Sequence, residues 1–460
     1  MNKRADVNLE RVTRSEQIAA YLAAAHQRQF PPAVMQAAIT ALIDFIGVAV
    51  GAVDEPPVRA VRRVAIDWQA RGDARIFLGP CTTPALAALV NGTMAHAMDY
   101  DDAHQMGAGH ISCPCWSTAF ALANELQSSE QATLAAFITG FEVMARLGGR
   151  GPTGVGRNLH RRGLHPTSIL GRIGAAAVAA VLLRLTPRQT EYALGIAATT
   201  AGGLIGSFGT HAKPFHGGKA AMDGILAAQL AAQGFESATH LLETEKGLLD
   251  AIIQDDNVDI PPLDFDARWE ILRNGFKPYA SCRATHASIQ TARKLAPRVA
   301  GKTIARVHAK IHPNAMVAAG KLNPRTPLEC KFSVPFCIAL GLRGYRLVAT
   351  DFTAAAMQDH SVTELLPRIE IEVVQNQAQY EAHMDVWLDD GVCLHEDTDI
   401  VLGHADNPMS AADFRAKFEG LVEPVLGAPK TARLFSLLES FEQPGNFAQV
   451  MSLLADNSHA

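Results

Sequence analysis

The chain has 460 residues, 48% hydrophobic and 19% charged, with 41 Lys and Arg against 46 Asp and Glu and a formal net charge of −5. That length holds roughly two to three domains, and the apolar content supplies a large buried core. The acidic balance excludes a general nucleic-acid binder, and aromatic residues at 6% leave no stacking platform for single strands.

The opening MNKRADVNLERVTRSEQ has no apolar signal-peptide core. From there to about residue 250 the chain reads as successive helices: 41–53, 84–100, 117–127, 133–149 and 167–185. All are rich in Ala and Leu and punctuated by Gly and Pro. Such helices are buried on several sides, which suits a multi-layer bundle. Glycine inside a helix costs about 1 kcal/mol against Ala, so its frequency here points to close helix packing. The longest apolar run, 173–183, is too short to span a bilayer and is followed by Arg184, so no membrane partner is expected.

Near residue 260 the texture changes. A Pro-punctuated stretch precedes short β-like runs at 305–313, 368–374 and 384–402, the last interrupted by Asp390-Gly391, a hairpin signal. Helix returns at Ser410, which forms a capping box with Asp413. The expected fold is mainly α with an α+β insert. A discontinuous helical domain takes residues 1–273 and 403–460, and a smaller α+β lid takes 274–402.

Three literal motifs fail in context. GRGPTG (149–154) matches G-x-G-x-x-G, but a helix precedes it where a dinucleotide fingerprint needs a strand. GGKA (217–220) is no P-loop, since Lys219 is followed by Ala. Cys113-x-Cys115 lacks a second pair at zinc spacing and reads as two buried thiols. The seven cysteines are scattered, with no CxxC, which fits a reduced cytoplasmic compartment.

The chemistry concentrates in NGTMAHAMDYDDAHQMGAGHISCPC (91–115), which holds His96, Asp99, Asp101, Asp102, His104 and His110. His96 and Asp99 share a helix face and could ligate zinc or iron. On a helix, however, Asp99, Asp101 and Asp102 diverge, and the Gly-rich segment after His104 gives no regular ligand spacing. No metal is therefore expected. A solvated helix end explains Asp101 and Asp102 singly. It does not explain His110, which follows GAG and precedes an apolar run, at a loop-to-helix junction suited to a cleft.

The pattern HAMDYDDAH with His110 six residues later resembles the signature of the MmgE/PrpD family. Further stretches agree in order and spacing: RRGLHPTSILGRIGAAAVAA (161–180), GTHAKPFHGGKAAMDGILAA (209–228), GFKPYASCRATHASI (275–289) and GHADNPMSAADFRAKF (403–418). The resemblance implies a cofactor-free enzyme of small di- and tricarboxylates, usually a homodimer, with a helical domain, a lid and an active site between them. It implies catalytic roles for Asp99, His110, His165, Lys213 and Lys277, with His104 also fitting the pattern.

Physical reasoning about the residues runs alongside. A proton next to a carboxylate is weakly acidic, so its removal needs a base and charges that stabilise the anion formed. His110 and His165 can exchange protons near neutral pH. Lys213, Lys277 and Arg283 are candidate cations for substrate carboxylates, with Arg suited to a bidentate clamp. Asp99 orients a histidine or acts as a base. The competing readings are solvated loop lysines at 213 and 277, each before a proline, and satisfied core histidines at His216 and His286.

Ala103 stands where the family's cis-aconitate decarboxylases carry a hydroxyl residue, and substrate-binding candidate Cys282 where they carry histidine. Both count against decarboxylation. The leading expectation is a lyase that hydrates or dehydrates a citrate-like acid, as 2-methylcitrate dehydratases do. An epimerase starting from the same proton abstraction is the alternative. A non-catalytic helical scaffold would need no such set of His, Lys and Arg in matching loops.

Overall fold

The computed structural model describes residues 12–104 and 109–455. Residues 1–11, 105–108 and 456–460 lie outside that range. The first half is helical: α1 (Arg14–Ala23), α2 (Pro32–Gly51), α3 (Pro56–Asp67), α4 (Pro84–Ala97), α5 (Ser112–Leu126), α6 (Glu130–Gly148), α7 (Val155–Arg161), α8 (Pro166–Leu182), α9 (Pro187–Thr199), α10 (Ala212–Ala232) and α11 (Leu248–Ile253). Two short ladders accompany them, β1 (Ala74–Arg75) with β2 (Cys81–Thr82), and β3 (Ala103–His104) with β4 (Asn274–Gly275). Helices α2, α3, α4, α8 and α9 each open on a proline, whose fixed φ and missing N–H cost nothing in a first turn.

Helix α8 is the centre. It is apolar all round and every one of its residues is buried. Helix α10 crosses both α4 and α8, and α6 and α5 pack on the remaining sides. Glycine sets these spacings, as its frequency implied. A Cβ at Gly218 would lie 2.1 Å from the Leu89 carbonyl oxygen of α4, and one at Gly224 would lie 2.4 Å from Ala175 Cβ of α8. Helix α2 is the one helix among the described residues long and apolar enough to cross a membrane, and it is mostly buried inside the fold.

The second half begins with α12 (His286–Val299) and β5 (Ile304–Ile311). Short helices follow: α13 (Pro313–Ala319), α14 (Pro327–Cys330), α15 (Val334–Leu342), α16 (Ala354–Gln358) and α17 (His360–Thr363). Strands β6 (Ile369–Val373), β7 (Ala382–Leu388) and β8 (Cys393–Thr398) complete a sheet of order β6-β5-β7-β8, in which only β6 runs parallel to its neighbour β5. The run expected as 384–402 is thus two strands ending at Thr398. The turn between them has Gly391 at φ 86°, the conformation its hairpin signal required. Burial alternates along β7, one face packing on α12 and the other meeting solvent.

The chain then returns to helix: α18 (Ala411–Leu426), α19 (Ala428–Glu439) and α20 (Asn446–Leu453). The Ser410–Asp413 capping box forms as read. Helix α18 packs against α2, where a Cβ at Gly47 would touch Phe418 at 3.0 Å. The fold class is therefore mainly α with an α+β part.

Candidate active site

The helix expected through residue 100 stops at Ala97, with Met98 as its cap. Asp99 then takes a left-handed conformation, φ 52°, a region Asp tolerates better than most residues. This turn sends three neighbouring carboxylates to three different sets of partners. The divergence read from a helical Asp99–Asp102 therefore came from the wrong backbone.

Asp99 Oδ1 accepts from Lys213 Nζ and, at 3.0 Å, from Lys277 Nζ. Burial alone would raise the Asp99 pKa, but the two ammonium groups outweigh it and hold the carboxyl well below its usual range. Lys213 sits in the first turn of α10 and Lys277 just beyond β4, and both are buried. The solvated-loop reading of these lysines is thus wrong. Each is fixed by a charge partner, and Lys213 also lies 5.6 Å from the ring centres of Phe208 and Phe332.

Asp101 is the carboxylate that faces the histidines, the position expected for Asp99. Its Oδ2 lies 2.8 Å from His96 Nδ1 and 3.1 Å from His110 Nδ1. Burial nevertheless pushes His96 down to about 3, against the pull of Asp101, and it lowers His110 as well. Asp102 faces away, accepting from Ser112 Oγ and, at 2.5 Å, from Asn274 Nδ2. Burial raises it to about 7. It ties the start of α5 to β4 and does not face the cavity.

His165 is itself the N-cap of α8, extended at φ −87°, ψ 112°, because Pro166 disfavours helix before it. Helix thus begins at Pro166. The turn before it uses Gly163 at φ 80°. The backbone N–H of His165 donates to the Gly203 carbonyl at 3.0 Å, and its Nδ1 lies 3.1 Å from His216 Nδ1. Its pKa is held far below the imidazole range, first by burial and then by Lys213. His216 is half-buried against His165 and is not a core histidine. His286 is one: its ring nitrogens face the Ser281 carbonyl and Arg283.

Asp99, His104, His110, His165, Lys213, Cys282 and Arg283 line one cavity of about 110 Å³ between the helical layer and the segments around α13, with Lys277 behind Asp99. The β3–β4 ladder pairs His104 with Asn274 and so fastens the two halves of the chain at the cavity rim. His104 Nε2 lies 3.6 Å from Glu270, and its ring meets Phe141 edge-on.

Arg283 donates through Nη1 to the Phe276 carbonyl at 3.0 Å, while its Nε and Nη2 are buried with no partner among the described residues. Two parallel donors left free are what a bidentate carboxylate needs. Burial also raises the Cys282 thiol to about 11, so it is protonated. The cavity further includes Arg157, His160, Arg161, Asn314 and Tyr380, which sequence reading had missed. Of these, His160, Arg161 and Arg157 stand near the GRGPTG and RRGLHPT stretches, but no spacing rule marks them.

Neutral imidazoles and a guanidinium fork without a partner among the described residues, lining one cavity, can move a proton on a small polycarboxylate. The histidines also cluster: His96, His110 and His165 each offer a ring nitrogen within 4.8 Å of the others.

Comparison with known proteins agrees with this chemistry. The chain matches the MmgE/PrpD N-terminal domain over residues 16–261 and the MmgE/PrpD C-terminal domain over 279–443. It is similar to cis-aconitate decarboxylase of Homo sapiens, 26% identical over 388 residues, covering 81% of this chain and 79% of that protein. The enzyme of the same name from Mus musculus is 27% identical, covering 78% and 76%. That of Aspergillus terreus (strain NIH 2624 / FGSC A1156) is 28% identical over a shorter stretch, 58% of this chain and 57% of that protein. With both halves matched in order, the chain belongs to the MmgE/PrpD family.

Proposed function

We propose that the protein is a lyase of a small di- or tricarboxylate that works without a cofactor, and that its reaction is the loss or addition of water on a citrate-like acid. The observation that carries this reading is the pairing of neutral imidazoles with the free Nε and Nη2 of Arg283 around one small cavity. Arg283 takes one substrate carboxylate bidentately. The Asp99–Lys213–Lys277 cluster stabilises charge developing on a second. His165 removes the proton α to that carboxylate, and the imidazolium so formed gives the proton to the departing β-hydroxyl. The C–H and C–O bonds break, a C=C bond forms and water leaves. His216, against Nδ1 of His165, fixes the tautomer that leaves Nε2 as the base.

The names of the relatives favour a second reading, decarboxylation, in which a C–C bond breaks and the carbanion is protonated. Against it stand Ala103 and Cys282, which leave the cavity wall without the hydroxyl and the imidazole of those enzymes. Epimerisation shares the first step and returns the proton to the opposite face.

One NMR experiment in D₂O separates these. Citrate, 2-methylcitrate, cis-aconitate and simple dicarboxylates are followed for alkene signals, loss of carboxyl carbon and deuterium at the α-carbon. Reversible alkene formation with water exchange supports the hydro-lyase. Carbon dioxide release replaces it by the decarboxylase, and deuterium exchange without alkene by the epimerase. No change in any substrate ends the polycarboxylate reading.

A further inference from the structure

We propose that His96, His110 and His165 form a binding site for a borderline divalent transition-metal ion such as Zn²⁺ or Co²⁺, and that the bound ion silences the enzyme. The three imidazoles offer one nitrogen each within 4.8 Å of one another. In each ring Nδ1 already faces a partner: Asp101 at 2.8 Å for His96, Asp101 at 3.1 Å for His110, and His216 Nδ1 at 3.1 Å for His165. Nε2 is left as the ligand atom, and His96 Nε2 is buried with no partner among the described residues.

A carboxylate behind a ligating imidazole fixes its tautomer and increases its basicity, and here one carboxylate serves two rings. Three nitrogen donors with a fourth position open form a common zinc arrangement. Zn–N bonds of about 2.0–2.1 Å require the rings to close slightly from their present spacing, which small side-chain rotations supply. Beside the rings, Asp99 and Asp101 offset Lys213 and Lys277, and both lysines are held on Asp99, while the cavity wall also carries Arg157, Arg161 and Arg283.

Silencing rests on the proposed function, because the ion consumes His165 and His110 as ligands. Metal binding itself does not. The test titrates the chelator-stripped full-length protein with Co²⁺ and reads the visible bands of four-coordinate cobalt, without substrate. We expect one saturable site from which Zn²⁺ displaces Co²⁺. His96→Gln and His165→Gln should each weaken binding at least about tenfold, and Asp101→Asn about 10- to 100-fold, the usual effect of losing a carboxylate behind a ligand.

Thermal melts show that each variant is folded. Should one fail, anomalous scattering from Zn²⁺ in wild-type crystals locates the ion. Absent bands, equal affinity in the histidine variants, or a peak at His383 and His395 on the sheet would each overturn the site. If the site fills and turnover on any substrate found is unchanged, silencing is wrong and the site stands.

Discussion

Two regions of this protein are built from the same residue types and behave in opposite ways. In the interior, His96 lies 2.8 Å from Asp101. On the outer face of the sheet, His395 lies 2.6 Å from Asp385 and 3.1 Å from Asp397. The exposed pair follows the ordinary rule, and hydrogen bonds to Asp385 and Asp397 raise the His395 pKa. In the buried pair the carboxylate pulls the same way, yet loss of water wins and His96 falls to about 3. A histidine beside an aspartate is thus pushed toward the cation on the surface and toward the neutral base inside, and burial, helped by Lys213 and His110, makes the difference.

The largest effect should follow from breaking the buried side of that contrast. Lys277→Met removes a fully buried ammonium that donates to both Oδ1 and the carbonyl oxygen of Asp99. We expect a loss of about 3 kcal/mol in denaturant unfolding, the low end for breaking a buried ion pair, because Lys213 still compensates Asp99. Turnover should be lost with it. A change under about 1 kcal/mol would mean that Asp99 is not held as described.

Next comes His165→Gln, which keeps hydrogen bonding and removes the base. We expect kcat to fall by at least about 10². Stability should stay within about 1 kcal/mol, since Gln fills much of the ring's volume and can still hydrogen-bond to His216. The wild-type pH profile sharpens this. The folded pKa of His165 lies well below 6.5, so its basic form survives as pH falls through the ordinary imidazole range. Activity that drops with a midpoint near 6.5 would contradict a buried neutral base.

The smallest effect belongs to the surface. His395→Gln should cost no more than about 1 kcal/mol, because its side chain is 55% exposed and solvent screens its pairs. The folded pKa is raised, so this contribution is complete below the unfolded value. It disappears as pH rises through the folded one. Melting temperatures of wild type and variant should therefore differ at pH 5 and coincide at pH 8. An equal difference at both would show that packing, not charge, is involved.

Helices, sheet and capping box were legible because each has a local signal: apolar periodicity, alternation, Asp390-Gly391, Ser410 with Asp413. The site residues were legible as types set in loops, and all but Lys277 face the cavity directly. What sequence hid was the backbone of Asp99. One residue in a left-handed turn decides which carboxylate meets lysine and which meets histidine, and no composition rule fixes that choice. Arg157, His160 and Tyr380 were hidden for another reason: they reach the cavity only through tertiary packing.

The segment that carries Asp99 is held by a comb of lysines. Lys331 donates to the Met98 carbonyl at 2.6 Å, Lys277 to that of Asp99 at 2.9 Å and Lys417 to that of Tyr100 at 2.8 Å, with Lys417 also 2.6 Å from Asp44 of α2. These donors lie 233, 178 and 317 residues away along the chain. Contacts of such separation form late, since the entropy of closing their loops comes before any gain. A nascent chain that has released α10 already contains Asp99, His110, His165 and Lys213, yet none of the three teeth. The segment that carries Asp99 therefore has its full set of holding contacts only once the chain has been made through residue 417.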